Sequence, residues 1–172
     1  MAKHTALDIA NVFIQLANSL PNDSIDNLKV NKLCFFAQGW SLAKTGNPLF
    51  DEEIQAWDYG PVVPSVYQAY KCYGKDPINK PSYEFDESLL SNDEISLLTD
   101  VYMEYGKYTS AALINMTHRK DTPWKEAYKP LLNKEITINS MKEYFSINGN
   151  MPNYKLNITP DNISYGMYDY EE

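Results

Sequence analysis

The side chains that could bind a metal ion or act as nucleophiles are few and far apart in the sequence. The chain has two histidines, His4 and His118, and two cysteines, Cys34 and Cys72. Together they could supply the nitrogen and sulfur ligands of one zinc ion. Zinc sites, however, are built from closely spaced pairs of ligands, and these four residues form no such pair. The spacing therefore predicts no metal site.

His118 is the best candidate for acid–base chemistry, because imidazole titrates near neutral pH. It lies at the end of a predicted helix, before Pro123-Trp124. It could act there as a base or a ligand, or it could cap the helix carbonyls and be favoured by the negative end of the helix dipole. We favour the structural role. His4, near the terminus, is expected to be exposed and inert, and Cys34 is expected to lie in the core.

Carboxylates are plentiful but lie in loops. Examples are the runs Asp51-Glu52-Glu53 and Asp86-Glu87. A carboxylate pair that transfers protons needs one member desolvated enough to raise its pKa, and these runs are typical of solvated loops. The chain also lacks a glycine-rich phosphate loop and a nucleophile elbow. The sequence therefore predicts a protein that is not an enzyme, with no catalytic residue and no cofactor.

Charge and composition restrict the class of partner. The formal net charge is −8, and the 15 basic residues form no stripe, so the chain is poorly suited to bind the phosphate backbone of DNA or RNA. An acidic protein instead suits a partner with a basic surface. No run approaches the ~20 apolar residues of a membrane span, and polar residues interrupt the first 20 positions. We expect a cytoplasmic protein without membrane contact.

Helical periodicity dominates the first half of the chain. Residues 5–20 place Ile9, Phe13 and Leu16 on one face, and residues 26–44 form the most apolar and most central helix. In the second helix Trp40 lies on the buried stripe, and Lys29 and Lys32 lie off it. Residues 53–59 alternate as a short strand does, and Gly60-Pro61-Val62-Val63-Pro64 is expected to be a stiff connector.

The second half contains shorter elements. A helix is expected over 65–73, a surface loop over 76–90, and a capping box, Ser91 with Glu94, before a helix that has Ile95, Leu98, Tyr102 and Tyr105 on one face. Further helices are expected over 110–119, from Pro123, and over 139–147, with a second short strand over 134–138. The fold class is mainly α: one compact helical domain of about six to seven helices with one or two short strands or a hairpin. This domain covers 1–149, and 150–172 is an acidic, tyrosine-rich tail.

Two stretches resemble a known family. Leu28-Lys-Val-Asn-Lys-Leu-Cys-Phe-Phe-Ala-Gln-Gly-Trp40 is similar to the opening of the Panacea domain, the SocA-like antitoxin family that includes phage-associated proteins. Ile54-Gln-Ala-Trp-Asp-Tyr-Gly-Pro-Val-Val-Pro-Ser-Val-Tyr67 resembles its most recognisable stretch. Tyr105-Gly106, Thr117-His118, Pro123-Trp124 and Tyr144-Phe145 look like its later motifs. The resemblance covers roughly residues 7–147.

The resemblance implies a mostly helical antitoxin that neutralises a toxin encoded beside it, by direct binding. One family member is understood as an adaptor that delivers its toxin to a protease. We therefore keep two alternatives: a protease adaptor or chaperone-like antitoxin that engages a host protease, and a phage protein that inhibits a host defence. The resemblance does not identify the toxin, and the sequence leaves self-association open.

The candidate contact surface is an aromatic ledge stiffened by two prolines, so that little entropy is lost on binding. The alternative is that Trp57 fills the core and the prolines only steer the chain. The acidic tail could be a second contact with the toxin or a solvated end. The residues predicted to bind the partner are Trp57, Tyr59, Pro61, Val62, Pro64, Tyr67 and Tyr70.

Overall fold

A computed structural model describes residues 1–147; the predicted tail, 150–172, lies outside the described residues. Within that range the chain forms seven α-helices and three short strands, which confirms the predicted fold class. No helix among the described residues is both long and apolar enough to span a bilayer. In chain order the elements are α1 (Ala6–Ser19), α2 (Asn27–Thr45), β1 (Ile54–Trp57), β2 (Gly60–Val62), α3 (Pro64–Tyr70), α4 (Asn92–Tyr105), α5 (Ser110–Thr117), α6 (Pro123–Ala127), β3 (Glu135–Ile136) and α7 (Ile138–Ile147). Short 3-10 turns follow α3 (Lys71–Tyr73) and precede α4 (Glu87–Leu89).

Helix α2 is the centre of the molecule, as predicted. The helices α1, α3, α4, α5 and α7 pack around it, and the strand β2 also contacts it. Residues on all its sides are therefore buried, including Lys29 and Lys32. The expectation that these two lysines lie off the buried face was wrong, because a helix surrounded by others has no solvated face.

The contact between α2 and α7 is aromatic. Phe145 of α7 packs edge-on against Trp40, with ring centroids 5.1 Å apart, and against Phe35 at 5.5 Å. Gly39 permits this approach, because a Cβ built at that position would lie 2.1 Å from the Phe145 ring. Trp40 is buried, as predicted, and its indole nitrogen donates a hydrogen bond of 2.9 Å to the Tyr105 hydroxyl.

Side-chain caps lie at the start of α1, α2, α4, α5 and α6. The predicted capping box at the start of α4 is present: the Ser91 hydroxyl accepts from the Glu94 backbone, and the Glu94 carboxylate accepts from the Ser91 backbone. Of the four residues predicted to share one face of α4, Leu98, Tyr102 and Tyr105 are buried, whereas Ile95 is 43% exposed. Leu97 and Val101 are buried as well, so the buried face of α4 is centred on the other side of Leu98 from Ile95.

His4 is buried, which corrects the expectation of an exposed, inert side chain. Its Nε2 lies 3.1 Å from a carboxylate oxygen of Glu94, and its ring packs edge-on against Phe85. Phe85 and Ile78 are buried residues of the segment 76–90, so this predicted surface loop covers part of the core. The N-terminal residues are held by these contacts, since an imidazole can bond to the Glu94 carboxylate and still pack its ring on a neighbour.

The strands form a small antiparallel sheet in the order β2-β1-β3. β1 and β2 make a hairpin in which Trp57 pairs with Gly60 and Gln55 with Val62, and β3 pairs along the other edge of β1. Strands within 53–59 and 134–138 are as predicted. Gly60–Val62, predicted as a connector, is a strand as well, because Pro61 lies on an edge strand, where the missing N–H costs no ladder bond.

Candidate protein-binding cleft

An apolar cleft of about 620 Å³ opens beside the hairpin formed by β1 and β2. We call it the hairpin cleft. Its apolar lining comes from the hairpin, from α3, from the start of α2 and from the loop after α6. The apolar residues are Leu28, Trp57, Tyr59, Val62, Tyr67 and Leu131, and the polar ones include Asp26, Asn27, Asp58, Lys71, Lys75 and Asn133.

Four of the seven residues predicted to bind a partner line this cleft. Trp57 and Tyr67 are half-buried and pack edge-to-face, with ring centroids 5.0 Å apart. The Trp57 indole nitrogen donates a hydrogen bond of 2.9 Å to Gln55, so the ring is held from both sides. Val62 is buried, and Tyr59, at the hairpin turn, is 64% exposed. One wall of the cleft is thus formed by the fixed rings of Trp57 and Tyr67, and Tyr59 projects from it into solvent.

The other three predicted residues lie outside the cleft lining. Pro61 is buried in β2, and Pro64, which is half-buried, starts α3 as its first residue. Tyr70 is only 1% exposed, and its hydroxyl hydrogen bonds with Asn11 and accepts from the Ser82 backbone at 2.9 Å. The structure therefore places Tyr70 in the core, where it joins α3 to α1. Pro61 belongs to the strand β2, and Pro64 begins the helix that carries Tyr67.

A buried lysine supports the hairpin from below. Lys32 is 0% exposed, and its ammonium donates a hydrogen bond of 3.2 Å to the carbonyl of Pro61. Burial lowers the pKa of Lys32 to about 7, although the nearby Asp26 carboxylate acts in the opposite direction. Gly60, with a φ of +105°, has no space for a side chain: a Cβ there would lie 2.5 Å from the Lys32 side chain and 2.8 Å from Thr117. Lys32 and Gly60 are therefore fitted to each other.

An aromatic stack supports the hairpin turn from the side. His118, Trp124 and Tyr128 lie face to face, with centroid distances of 3.7 Å and 4.5 Å. The Trp124 indole nitrogen donates a hydrogen bond of 2.8 Å to the Trp57 carbonyl, and the Tyr128 hydroxyl donates one of 2.6 Å to Asp58. The stack thus bonds to Trp57 and Asp58, the two residues directly before Tyr59, and holds the start of the turn that carries this tyrosine.

His118 has the structural position that we favoured, but not the predicted charge. Its backbone N–H ends α5 by donating to Ile114 and Asn115. Burial lowers the pKa of its ring to about 4, and the charges of Lys32 and Lys125 act in the same direction. The ring is therefore neutral at pH 7, so the idea that the helix dipole favours its positive form was wrong. Its Nε2 is buried and has no hydrogen-bond partner among the described residues.

Sequence reasoning missed the wall contributed by the loop after α6. Leu131 is 92% exposed and, like Asn133, has a positive φ, of 67° and 44° respectively. Residues other than glycine rarely adopt a positive φ, so the loop holds Leu131 outward at a cost in backbone strain. The detectable signal was Leu131-Leu132, two adjacent leucines directly after a proline in a segment without periodicity.

The groups considered for other chemistry lie apart from the cleft lining. Cys34 is buried, as predicted, and burial together with the Glu52 charge raises the pKa of its thiol. Cys72 is exposed in the turn after α3. Among residues 1–147, no three His, Cys, Asp or Glu side chains come together in a way that could hold a metal ion.

Comparison with known proteins places these features in a family. The family model described as "Antitoxin SocA-like, Panacea domain" matches residues 30–125, from α2 to the start of α6. This range contains Lys32, the hairpin, α3 and Trp124. The chain is also similar to Antitoxin SocA of Caulobacter vibrioides (strain NA1000 / CB15N), at 28% identity over 127 residues that make up 67% of this chain and 66% of that protein. No solved structure matches the chain. Because the family match covers more than half of the 172 residues, the chain belongs to the SocA-like antitoxin family and carries its Panacea domain.

Proposed function

We propose that this protein is an antitoxin that neutralises a cognate toxin by binding it directly, and that the hairpin cleft is its contact surface. The observation that carries the proposal is the rigid, partly exposed aromatic wall of Trp57, Tyr59 and Tyr67 in a family of antitoxins. The relative from Caulobacter vibrioides is itself named as an antitoxin. The protein acts in this proposal as a stoichiometric binder, and no bond is made or broken.

The geometry of the cleft favours protein binding. Tyrosine and tryptophan give a large contact area at low entropic cost, and they are enriched among the residues that dominate binding energy. Trp57 is already fixed by Gln55 and Tyr67, and the turn that carries Tyr59 is fixed by the stack of Trp124 and Tyr128. The surface therefore loses little conformational freedom on binding, which leaves more of the contact energy as affinity.

The charge of the whole chain supports a toxin with a basic surface, since a net charge of −8 accelerates encounter with a positive partner. The segment 150–172 carries one lysine against four acidic residues, so it contributes −3 of that charge. We propose that this segment assists the encounter with the toxin, and that the domain of residues 1–149 makes the specific contacts. Binding of this kind requires no metal ion, cofactor, nucleic acid or membrane.

The test is co-expression of the full chain with the neighbouring open reading frame. We expect the neighbour to stop growth when expressed alone, growth to recover on co-expression, and a complex of the two proteins to co-purify. Recovery without a complex, accompanied by loss of the toxin from the cell, would favour an adaptor that delivers the toxin to a protease. A neighbour that is harmless on its own would contradict the antitoxin proposal and favour a phage protein that inhibits a host defence.

A further inference from the structure

A second cleft of about 620 Å³ adjoins the hairpin cleft. Its apolar lining comes from Leu20, Pro77, Tyr102, Met103 and Tyr108. Asp26 and Lys75 line this second cleft and the hairpin cleft alike. The two clefts therefore meet at these two residues and form one continuous surface, with one apolar hollow on each side.

Both hollows leave large apolar side chains in water. Tyr59 and Leu131 project at the hairpin cleft, and Leu20 and Met103, which are 43% and 45% exposed, project at the second cleft. Contiguous exposed apolar surface of this kind is typical of interaction sites, because covering it releases the free energy of hydrating it. A single ligand that lies across the junction gains this energy in both clefts.

The carboxylates at the junction are engaged by internal donors. Asp26 accepts a hydrogen bond of 2.8 Å from the Lys29 backbone, at the start of α2, and one of 2.7 Å from the Ser110 hydroxyl. Asp58, at the far end of the hairpin cleft, accepts from the Tyr128 hydroxyl. Asp23, which lines the second cleft, accepts from the Tyr102 hydroxyl and the Ser24 backbone. Each carboxylate keeps its charge but already has internal donors.

The lysines at the same place are exposed and free of such contacts. Among residues 1–147, the ammonium groups of Lys71 and Lys75 take part in no hydrogen bond or ion pair. Lys75 lies at the junction and Lys71 lies at the hairpin cleft. A ligand that enters the surface therefore meets apolar walls, carboxylates that already accept from internal donors, and two ammonium groups without an internal partner.

We infer that the two clefts together bind one linear segment of the toxin, with bulky apolar side chains in each hollow and a carboxylate between them on Lys75. This inference rests on the proposed antitoxin function and adds the chemistry of the segment that is recognised. It agrees with a basic toxin surface, because net charge governs the encounter at long range, whereas the contact itself depends on the groups that meet.

Two pairs of variants of the full chain test the surface. Met103→Glu places a charge in the second cleft, and its matched control is Ile95→Glu, a side chain of the same helix that is 43% exposed and lines neither cleft. Lys75→Glu reverses the charge at the junction, and its control is Lys80→Glu, an exposed lysine that lines neither cleft. The probes are short synthetic peptides tiled along the product of the neighbouring open reading frame, and binding is followed by fluorescence anisotropy.

We expect one peptide to bind, and we expect it to carry a carboxylate between apolar residues. Changing that carboxylate to the amide should weaken its binding. Met103→Glu and Lys75→Glu should weaken binding of this peptide at least ~10-fold, and both controls should leave it unchanged. The inference is overturned if no peptide binds although the intact toxin co-purifies, or if the bound peptide is insensitive to both variants. Failure of the intact toxin to co-purify at all overturns the proposed function itself.

Discussion

Replacing Lys32 by methionine should remove a large part of the pH dependence of stability. Lys32 is fully buried, and burial lowers its pKa in the folded chain from 10.5 to about 7. Between these two values the unfolded chain holds a proton on this lysine that the folded chain has lost. The free energy of unfolding therefore rises with pH in this window, because stability increases wherever the unfolded state binds more protons.

The size of the effect follows from the two pKa values. Raising the pH from about 7 to about 9.5 should increase the free energy of unfolding by about 3 kcal/mol through Lys32 alone. The upper limit is set by the tyrosines. Burial raises the pKa of Tyr102 and Tyr105, so above about pH 10 the unfolded chain loses phenolic protons first and stability falls again. Within the window the raised pKa of the Cys34 thiol acts against Lys32, and the lowered pKa of Lys29 acts with it. The difference between wild type and a Lys32 variant cancels these contributions and isolates Lys32.

The assay is urea unfolding followed by tryptophan fluorescence at both pH values. The wild-type chain and Lys80→Met, a change of an exposed lysine, should show the same change of unfolding free energy between the two pH values. For Lys32→Met this change should be about 3 kcal/mol less favourable to the folded state. At pH 7 the variant should be as stable as wild type or more stable, since an apolar side chain of similar size replaces a buried charge. Equal pH slopes in wild type and Lys32→Met would refute the claim that this ammonium is buried.

Three further results are expected. Gly60→Ala should destabilise the fold by about 2–4 kcal/mol, because the positive φ is strained for alanine and the new Cβ would lie 2.5 Å from Lys32. An unchanged midpoint of urea unfolding would contradict this close fit. Gly39→Ala should lower the free energy of unfolding by a similar ~2–4 kcal/mol, because the new Cβ would lie 2.1 Å from the Phe145 ring and would force α7 away. An unaltered thermal unfolding curve would exclude that contact. A thiol reagent should modify Cys72 in the native protein and Cys34 only after unfolding, because burial and a raised pKa both protect Cys34. Two reactive thiols in the native protein would contradict the burial of Cys34.

Local sequence signals predicted the helices well. The Ser91–Glu94 capping box, the proline at position 123 and the apolar spacing of α1 and α2 each report on residues within one or two turns, so the sequence contains the whole signal. The burial of Lys29 and Lys32 was missed for the opposite reason. It depends on helices that pack around α2 from distant parts of the chain, and a lysine at a helix position carries no mark of what will cover it.

The candidate site was predicted in part. Trp57, Tyr59, Val62 and Tyr67 were identified from one short stretch and line one cleft. The second wall comes from Leu131, far along the sequence, and its position depends on a loop with unusual backbone angles. Tyr70 lies one helical turn after Tyr67, which is why it was assigned to the same surface. In the structure Asn11 and Ser82 bind its hydroxyl in the core. Such tertiary partners cannot be inferred from spacing within one helix.

The aromatic stack illustrates the same limit. His118, Trp124 and Tyr128 lie within eleven residues and stack on one another, and Trp124 and Tyr128 bond to Trp57 and Asp58 in the hairpin, far along the sequence. The sequence placed His118 next to a turn and left base, ligand and structural roles open. The stack supports the structural role, because the ring packs face to face on the Trp124 indole and its Nε2 is buried.

The most direct test of the central claim is the affinity of the full chain for the product of the neighbouring open reading frame, compared between Tyr59→Ala and Leu89→Ala. Both side chains are more than half exposed, but only Tyr59 lines the hairpin cleft. We predict that Tyr59→Ala weakens the complex at least ~10-fold and that Leu89→Ala binds as wild type does. Equal affinities of wild type and Tyr59→Ala would contradict the assignment of the hairpin cleft as the toxin-binding surface.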